Sequence, residues 1–181
     1  SWWWTFGDDA ISAPGTNKVL AVRTNTEPAD YAAIVARTGI SAPKGSYWII
    51  GNEPNVPGQD SIDGSTYATR YKKWAEAIRA YDSTAKLIAG NHLNWDQTCG
   101  GCGGITQGRL WVQEFLAGYQ TQFGTRPTID VWGIHAYYID WNSVPMVNWQ
   151  AVSTDIEGFR AFLNQNNYST IPIWITEFGV V

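Results

Sequence analysis

The sequence has few of the residues that metal centres and redox sites need. Its 181 residues include two histidines, two cysteines and one methionine. Two thiols are too few for a structural zinc site, and two histidines far apart in the chain make a poor ligand set for a catalytic metal. We therefore expect no metal and no other cofactor.

Basic residues and long apolar runs are also scarce. The chain has 12 lysine and arginine residues spread along its length, and its formal net charge at pH 7 is −4. Because nucleic-acid-binding proteins gather basic residues into a patch, this distribution argues against nucleic acid as a partner. No apolar stretch reaches the length that crosses a bilayer, so we expect no membrane partner either. The sequence leaves the oligomeric state open.

The two cysteines lie close together, in Cys99-Gly100-Gly101-Cys102. A redox Cys-x-x-Cys motif normally begins a helix after a strand, whereas this pair lies in a glycine-rich loop. A disulfide that closes a small loop is the first interpretation, and a pair of free thiols is the alternative. With the low lysine content, the disulfide favours a secreted or extracellular protein.

Aromatic residues, in contrast, are abundant, with 11 tryptophans and nine tyrosines. An aromatic ring has a flat apolar face that can stack on the C–H face of a sugar ring. A chain of 181 residues with 44% apolar content can bury one sizeable core, so we expect a single domain. Most of the rings should fill that core, and a minority should line a cleft.

Segments typical of strands and helices alternate along the chain, which predicts parallel βαβ units and an α/β fold. A complete eight-stranded barrel needs about 250 residues, so the alternatives are an incomplete barrel and an open sheet. The predicted strands are 19–23, 47–51, 86–90, 129–135 and 171–176, with an uncertain one at 2–6, and the predicted helices are 28–39, 66–81, 110–123 and 152–164.

Two of the predicted strands lead directly into a glutamate, at Glu53 and at Glu177. In a barrel of parallel strands, the residue at the C-terminal end of a strand points into the active site. Two glutamates placed in this way can face each other across a sugar, one as acid/base and the other as nucleophile. A single glutamate after a strand is more often a solvated loop residue, so the interpretation depends on the pair.

Three motifs, each after an apolar segment, resemble the retaining glycoside hydrolases built on the (β/α)8 TIM barrel. The motifs are Asn52-Glu53-Pro54-Asn55, Gly133-Ile134-His135-Ala136-Tyr137 and Thr176-Glu177-Phe178-Gly179. Members of that clan have Asn-Glu at the end of the fourth strand and a glutamate at the end of the seventh. The resemblance begins near Val19 and implies a single catalytic barrel domain over 1–181. That barrel would be truncated at both ends, without its first unit or units and its eighth strand.

The resemblance implies hydrolysis of β-glycosidic bonds in a polysaccharide or oligosaccharide by double displacement, with Glu53 as acid/base and Glu177 as nucleophile. Asn52 would bind the 2-hydroxyl of the sugar, a contact that strengthens in the transition state. Tyr137 would donate a hydrogen bond to Glu177, and His135 to either carboxylate or to a sugar hydroxyl. The structural alternatives are a loop cap for Asn52 and core packing for His135 and Tyr137.

Four further residues are candidate carbohydrate contacts. His92 and Asn94 follow a predicted strand, Trp141 lies in a long loop, and Arg23 ends an early strand where it could brace a carboxylate. The alternative function is a non-catalytic carbohydrate-binding or structural protein derived from such a barrel. The sugar, the linkage, and endo or exo action are open.

Overall fold

The computed structural model describes residues 2–6, 17–40, 42–97, 103–138 and 149–180. Within these ranges the two first strands are followed by regular alternation of helices and strands. The elements are β1 (Trp2–Phe6), β2 (Asn17–Val22), α1 (Tyr31–Gly39), β3 (Tyr47–Ile50), α2 (Gly64–Tyr81), β4 (Lys86–Leu93), α3 (Gly108–Phe123), β5 (Val131–Tyr138), α4 (Trp149–Gln165) and β6 (Ile173–Val180).

The six strands form one parallel sheet in the order in which they occur in the chain. A doubly wound open sheet reverses its strand order at a switch point, where the two halves diverge. No such reversal occurs among the described strands. The sheet is therefore a run of consecutive strands from a (β/α) barrel, which confirms the predicted incomplete barrel over the open sheet.

Each predicted strand and helix is present, and the uncertain strand at 2–6 is β1. The largest differences are at the C-terminal ends of β4, β5 and β6, which we expected to end at Gly90, His135 and Thr176. Strands β4 and β5 continue for three more residues, to Leu93 and Tyr138, and β6 continues for four, to Val180. The apolar pattern of β4 stops at Gly90, Asn91 and His92, but the backbone pairing between β4 and β5 continues to Leu93 and His135.

The main core lies between the sheet and the helices, and it is rich in aromatic rings, as expected. Trp48, Trp132 and Trp111 are almost completely buried in it. The rings of Tyr67 and Phe115 meet edge to face, with their centroids 4.8 Å apart. Burial of one large apolar side chain contributes about 1.5–3 kcal/mol, so this layer supplies much of the stability of the fold.

A second, smaller cluster lies on the inner face of the sheet, opposite the helices. It consists of Val19, Ala21, Ile49, Ile88 and Val131, with Tyr47 and Trp174 packed against it. The rings of Tyr47 and Trp174 are 4.7 Å apart. Trp174 is therefore part of this inner cluster.

Some expectations lie outside the described residues, namely the state of Cys99 and Cys102 and the position of Trp141. Among the described helices, none has the length and hydropathy of a membrane-spanning segment.

Candidate active site

Glu53 and Glu177 meet at the C-terminal ends of β3 and β6, with His135 of β5 between them. One carboxylate oxygen of each glutamate and one ring nitrogen of His135 all lie within 4.8 Å of one another. The imidazole Nδ1 is 3.0 Å from Glu53 Oε1 and 3.4 Å from Glu177 Oε2. Three βαβ crossovers thus bring together two acids that are distant in the chain.

Glu53 lies three residues after β3, which ends at Ile50, so a turn and not strand alternation sets the direction of its side chain. Gly51 has a φ of 93°, and a Cβ there would lie 2.9 Å from Thr24 Oγ1, so the turn after β3 requires glycine. Glu53 itself has a left-handed φ of 41°. That conformation is uncommon for glutamate and marks a backbone that the surrounding hydrogen bonds hold in place.

Glu177 reaches the inner face because of a β-bulge. Ile134 of β5 pairs with Ile175, but His135 pairs with Glu177, so Thr176 is an extra residue in β6. Strict alternation from Trp174, which faces inward, would turn Glu177 outward toward the helix layer. The extra residue reverses the alternation and brings the carboxylate to His135.

Tyr137 contacts the same carboxylate, and its hydroxyl donates a hydrogen bond to Glu177 Oε2 over 3.2 Å. Burial raises the pKa of Tyr137, and the negative charge of Glu177 raises it further. The hydroxyl therefore stays protonated and continues to donate at alkaline pH. This is the contact that the resemblance implied for Tyr137.

Asn52 and Arg23 both lie beside a buried acid, Asp60, that the sequence did not single out. Asp60 accepts hydrogen bonds from the Asn52 backbone N–H, at 3.0 Å, and from the Thr24 backbone N–H, at 2.7 Å, and it forms an ion pair with Arg23. The Asn52 side-chain amide donates to Gln59 Oε1 at 3.0 Å. Arg23 thus contacts the carboxylate of Asp60, and not that of Glu53 or Glu177.

The structure places His92 away from the pair. The side chain is completely buried on the helix side of β4, where its ring stacks on Trp111 and meets Phe159 edge to face. Burial lowers the pKa of His92 to about 3, and a smaller contribution comes from His135. Without exposed surface, this ring has no face to offer to a sugar in the described structure.

Asn94 is near the pair, but both ends of its amide bind the backbone of Tyr137, and the residue is 2% exposed. It therefore supports a neighbour of the carboxylates and presents almost no surface of its own.

The three-residue cluster of Glu53, His135 and Glu177 also has the composition of a possible metal site. Two carboxylate oxygens and one imidazole nitrogen suit zinc or a similar divalent ion. In the arrangement described, the imidazole is already within hydrogen-bond distance of Glu53, so an ion would have to replace that contact. The absence of a metal stays a prediction.

Comparison with known proteins gives no match among curated proteins and clear matches among solved structures. A subgroup I endo-β-1,3-glucanase of glycoside hydrolase family 128 from Amycolatopsis mediterranei, bound to laminaritriose and laminaribiose, is similar with a TM-score of 0.61 and 21% identity. The match covers 98% of this chain and 61% of that one. A subgroup II endo-β-1,3-glucanase from Sorangium cellulosum matches with a TM-score of 0.65 and 21% identity, over 98% of this chain and 65% of that one.

A family 39 β-xylosidase from Caulobacter crescentus has a TM-score of 0.55 and 23% identity, over 82% of this chain and 28% of that one. The chain therefore spans less than two thirds of the length of these structures, and the similarity shows a shared barrel fold. The family model described as glycosyl hydrolase catalytic core matches residues 1–181, so this protein belongs to that family.

Proposed function

We propose that this protein hydrolyses β-glycosidic bonds in a polysaccharide or oligosaccharide with retention of configuration. The observation that carries the proposal is the short distance between the two acids, since one oxygen of Glu53 and one of Glu177 lie within 4.8 Å of each other. Retaining glycosidases hold their carboxyl groups about 5–5.5 Å apart, and inverting ones about 6.5–9.5 Å, to leave room for a water molecule. The shorter spacing supports direct attack by a carboxylate.

Glu177 is the nucleophile in this proposal. The hydroxyl of Tyr137 donates a hydrogen bond to its carboxylate, a contact that fixes the attacking oxygen. Glu177 attacks the anomeric carbon, the glycosidic C–O bond breaks, and Glu53 gives its proton to the leaving oxygen. Water then attacks the glycosyl ester, Glu53 takes a proton from that water, and the bond to Glu177 breaks.

His135 orients the two carboxyl groups. With a proton on Nδ1, the ring can donate to Glu53 at 3.0 Å and lies 3.4 Å from Glu177. Its side chain is 1% exposed, so the ring is fixed by its surroundings and does not compete for the sugar. Asn52, next to Glu53 in the chain, is the candidate for binding the 2-hydroxyl.

We propose β-1,3-glucan as the substrate class. The structures from Amycolatopsis mediterranei and Sorangium cellulosum that match 98% of this chain are endo-β-1,3-glucanases. The β-xylosidase covers a smaller part of the chain, with a lower TM-score, which makes xylan the second choice.

The test is release of reducing sugar from laminarin, with xylan, mannan and cellulose as comparison substrates. Glu177→Gln and Glu53→Gln should each lower turnover of laminarin by roughly 1,000-fold or more, because each removes a group that acts on the reacting atoms. Glu76→Gln, an exposed position on α2 that pairs with Lys72, is the matched control and should keep wild-type turnover.

The stereochemical outcome is read from the first product by proton NMR, before mutarotation. The β anomer supports retention, and the α anomer would overturn the double displacement. Binding of laminarin without release of sugar by the wild-type protein would overturn the enzymatic proposal and favour the carbohydrate-binding alternative.

A further inference from the structure

Two β-bulges flank β5, one on each neighbouring strand. On β4 the register with β5 shifts between Gly90 and His92, so Asn91 is the extra residue. On β6 the extra residue is Thr176. A bulge redirects the side chains that follow it in its strand. The bulge in β6 therefore sets the direction of Glu177, and the bulge in β4 lies beside the turn that contains Glu53.

The two extra residues contact each other across β5. The hydroxyl of Thr176 donates a hydrogen bond to Asn91 Oδ1 at 3.1 Å, and both residues are buried, at 6% and 0% exposure. Between them lies Gly133, where a Cβ would be 2.1 Å from Asn91 Oδ1. The bond between the bulges therefore requires glycine at this position of β5.

The same asparagine also contacts the other catalytic strand. Its backbone carbonyl accepts a hydrogen bond from the backbone N–H of Glu53 at 2.9 Å. Asn91 and Glu53 both have left-handed backbones, with φ angles of 51° and 41°. Such conformations persist when surrounding contacts hold them, and here each residue contacts the other. Asn91 thus connects the backbone of Glu53 with the residue that precedes Glu177.

We propose that Asn91, Gly133 and Thr176 form a bulge clasp, a set of positioning residues that fixes the distance between the carboxylates of Glu53 and Glu177. None of the three touches the reacting atoms; they act through the backbones of the two glutamates. The kinetic part of this inference rests on the proposed function, whereas the geometric part does not need it.

The first test compares two substitutions of Thr176. Thr176→Val keeps the branched shape and removes the hydroxyl, so the nucleophile loses its connection to Asn91. We expect kcat on laminarin to fall by about 10- to 100-fold, because a shift of roughly 1 Å in a reacting group costs on that order. KM should change little, and Thr176→Ser, which keeps the hydroxyl, should restore most of kcat.

The second test uses the close approach at Gly133. Gly133→Ala alone should lower kcat, because its methyl group displaces the Asn91 side chain. Asn91→Gly removes that side chain and tolerates the left-handed backbone, so it should also lower kcat. In the Asn91→Gly background, Gly133→Ala should cause a much smaller additional loss, because the one close contact that remains for the new methyl group, Ile88 Cγ2 at 3.1 Å, needs only a small adjustment. Independent, additive losses would overturn the clasp.

A readout without substrate separates this inference from the proposed function. The chain contains two histidines, so the ring resonances of His135 can be assigned with His92→Leu. Thr176→Val should shift the His135 resonances in the same direction as Glu177→Gln, since both change the acid that lies 3.4 Å from Nδ1. If no polysaccharide is cleaved, the proposed function fails, and these resonances still test the clasp.

Wild-type kcat and unshifted His135 resonances in Thr176→Val would overturn the inference. Equal losses of kcat in Thr176→Val and Thr176→Ser would also overturn the inference. They would show that the packing of the side chain at this position matters and that its hydroxyl does not. If Thr176→Val does not fold, the substitutions at Asn91 and Gly133 decide whether the clasp exists: non-additive losses of kcat support it, and additive losses overturn it.

Discussion

Asn94 holds the backbone of Tyr137 with both ends of its side-chain amide. Its Nδ2 donates to the Tyr137 carbonyl at 2.7 Å, and its Oδ1 accepts from the Tyr137 N–H at 2.9 Å. The Tyr137 hydroxyl in turn donates to Glu177. An asparagine directly after β4 thus fixes the residue of β5 that contacts the carboxylate on β6.

This relationship predicts that Asn94→Gly lowers kcat by about 10- to 100-fold, since Tyr137 is then free to shift relative to Glu177. Glycine is chosen because Asn94 has a left-handed φ of 51°, which glycine adopts without strain. The partly buried backbone groups of Tyr137 lose their partners, which should lower the free energy of unfolding by about 1 kcal/mol. Asn167→Gly, at an exposed left-handed asparagine, is the control and should leave kcat unchanged. Wild-type kcat in Asn94→Gly would contradict the positioning role.

Tyr137→Phe isolates the hydrogen bond to Glu177, because it removes the hydroxyl and keeps the ring. A hydrogen bond to a charged group contributes about 1.5–3 kcal/mol, so kcat on laminarin should fall by roughly 10- to 100-fold. Burial and the charge of Glu177 raise the pKa of Tyr137, so the ratio of wild-type to variant kcat should stay constant into alkaline pH. Tyr168→Phe, whose hydroxyl binds the Pro127 carbonyl far from the pair, should affect stability and leave kcat unchanged. A ratio that falls to one at pH 8–9 would show that the hydroxyl ionises there.

Removal of divalent ions should leave turnover of laminarin unchanged. In the proposed mechanism, Glu177 attacks the sugar and Glu53 transfers the protons, so neither step uses a metal ion. The Nδ1 atom of His135 lies within hydrogen-bond distance of Glu53. The measurement is kcat before and after dialysis against a chelator, followed by addition of Zn²⁺ or Mn²⁺. Loss of activity on chelation and recovery with a metal would instead assign the three-residue cluster to an ion.

The N-terminus of α2 should lose stability in acid. Asp63 caps this helix, since its Oδ1 accepts from the Thr66 N–H at 2.6 Å and its Oδ2 from the Thr66 hydroxyl at 2.8 Å. Burial raises the pKa of Asp63, but these hydrogen bonds outweigh it and hold the pKa below the usual value. The capping contribution is therefore present above about pH 4 and is lost as the pH falls through the folded pKa.

The corresponding substitutions are Asp63→Ala and Asp63→Asn, measured by urea unfolding at pH 7 and pH 3. Alanine should cost about 1 kcal/mol at pH 7 and less at pH 3, because the stabilisation by the ionised carboxylate decreases below the ordinary pKa of aspartate. Asparagine caps nearly as well without a charge, so its stability should follow the wild type at pH 7 and change less in acid. An alanine cost that does not depend on pH would show that the charge has no part in the cap.

Most elements and the pairing of Glu53 with Glu177 could be predicted, because apolar periodicity and the residues that end strands are local properties of the sequence. The bulges could not, since an extra residue in a strand leaves no mark in the apolar pattern. By alternation from Ile88, His92 would face inward, and the bulge at Asn91 turns it to the helix side. Glu177 shows the opposite case, where alternation from Trp174 would turn it outward and the motif indicated its position correctly.

Asp60 was missed for a different reason. An acidic residue in a polar loop is usually solvated, and nothing in the local sequence indicates burial at 2% exposure. Its partners Arg23 and Thr24 come from the end of β2, more than 30 positions earlier in the chain. Contacts between residues so far apart in the chain depend on how the strands and loops pack in the folded protein, which the local sequence pattern does not specify.

Burial of His92 predicts that the protein becomes less stable as the pH falls from 6.5 towards 3. Both ring nitrogens lack a hydrogen-bond partner among the described residues, and burial lowers the pKa to about 3. Below the ordinary pKa of about 6.5, the unfolded chain binds a proton that the folded chain does not, which costs up to about 1.4 kcal/mol per pH unit. His92→Leu should flatten the dependence of the free energy of unfolding on pH between pH 6 and pH 4. Because it removes buried unpaired polar groups, it should also raise the free energy of unfolding by about 1 kcal/mol at pH 7. His92→Gln should flatten the slope without that gain, since it stays polar. Urea unfolding at each pH measures both effects, and a His92→Leu slope parallel to that of the wild type would show that His92 does not limit stability in acid.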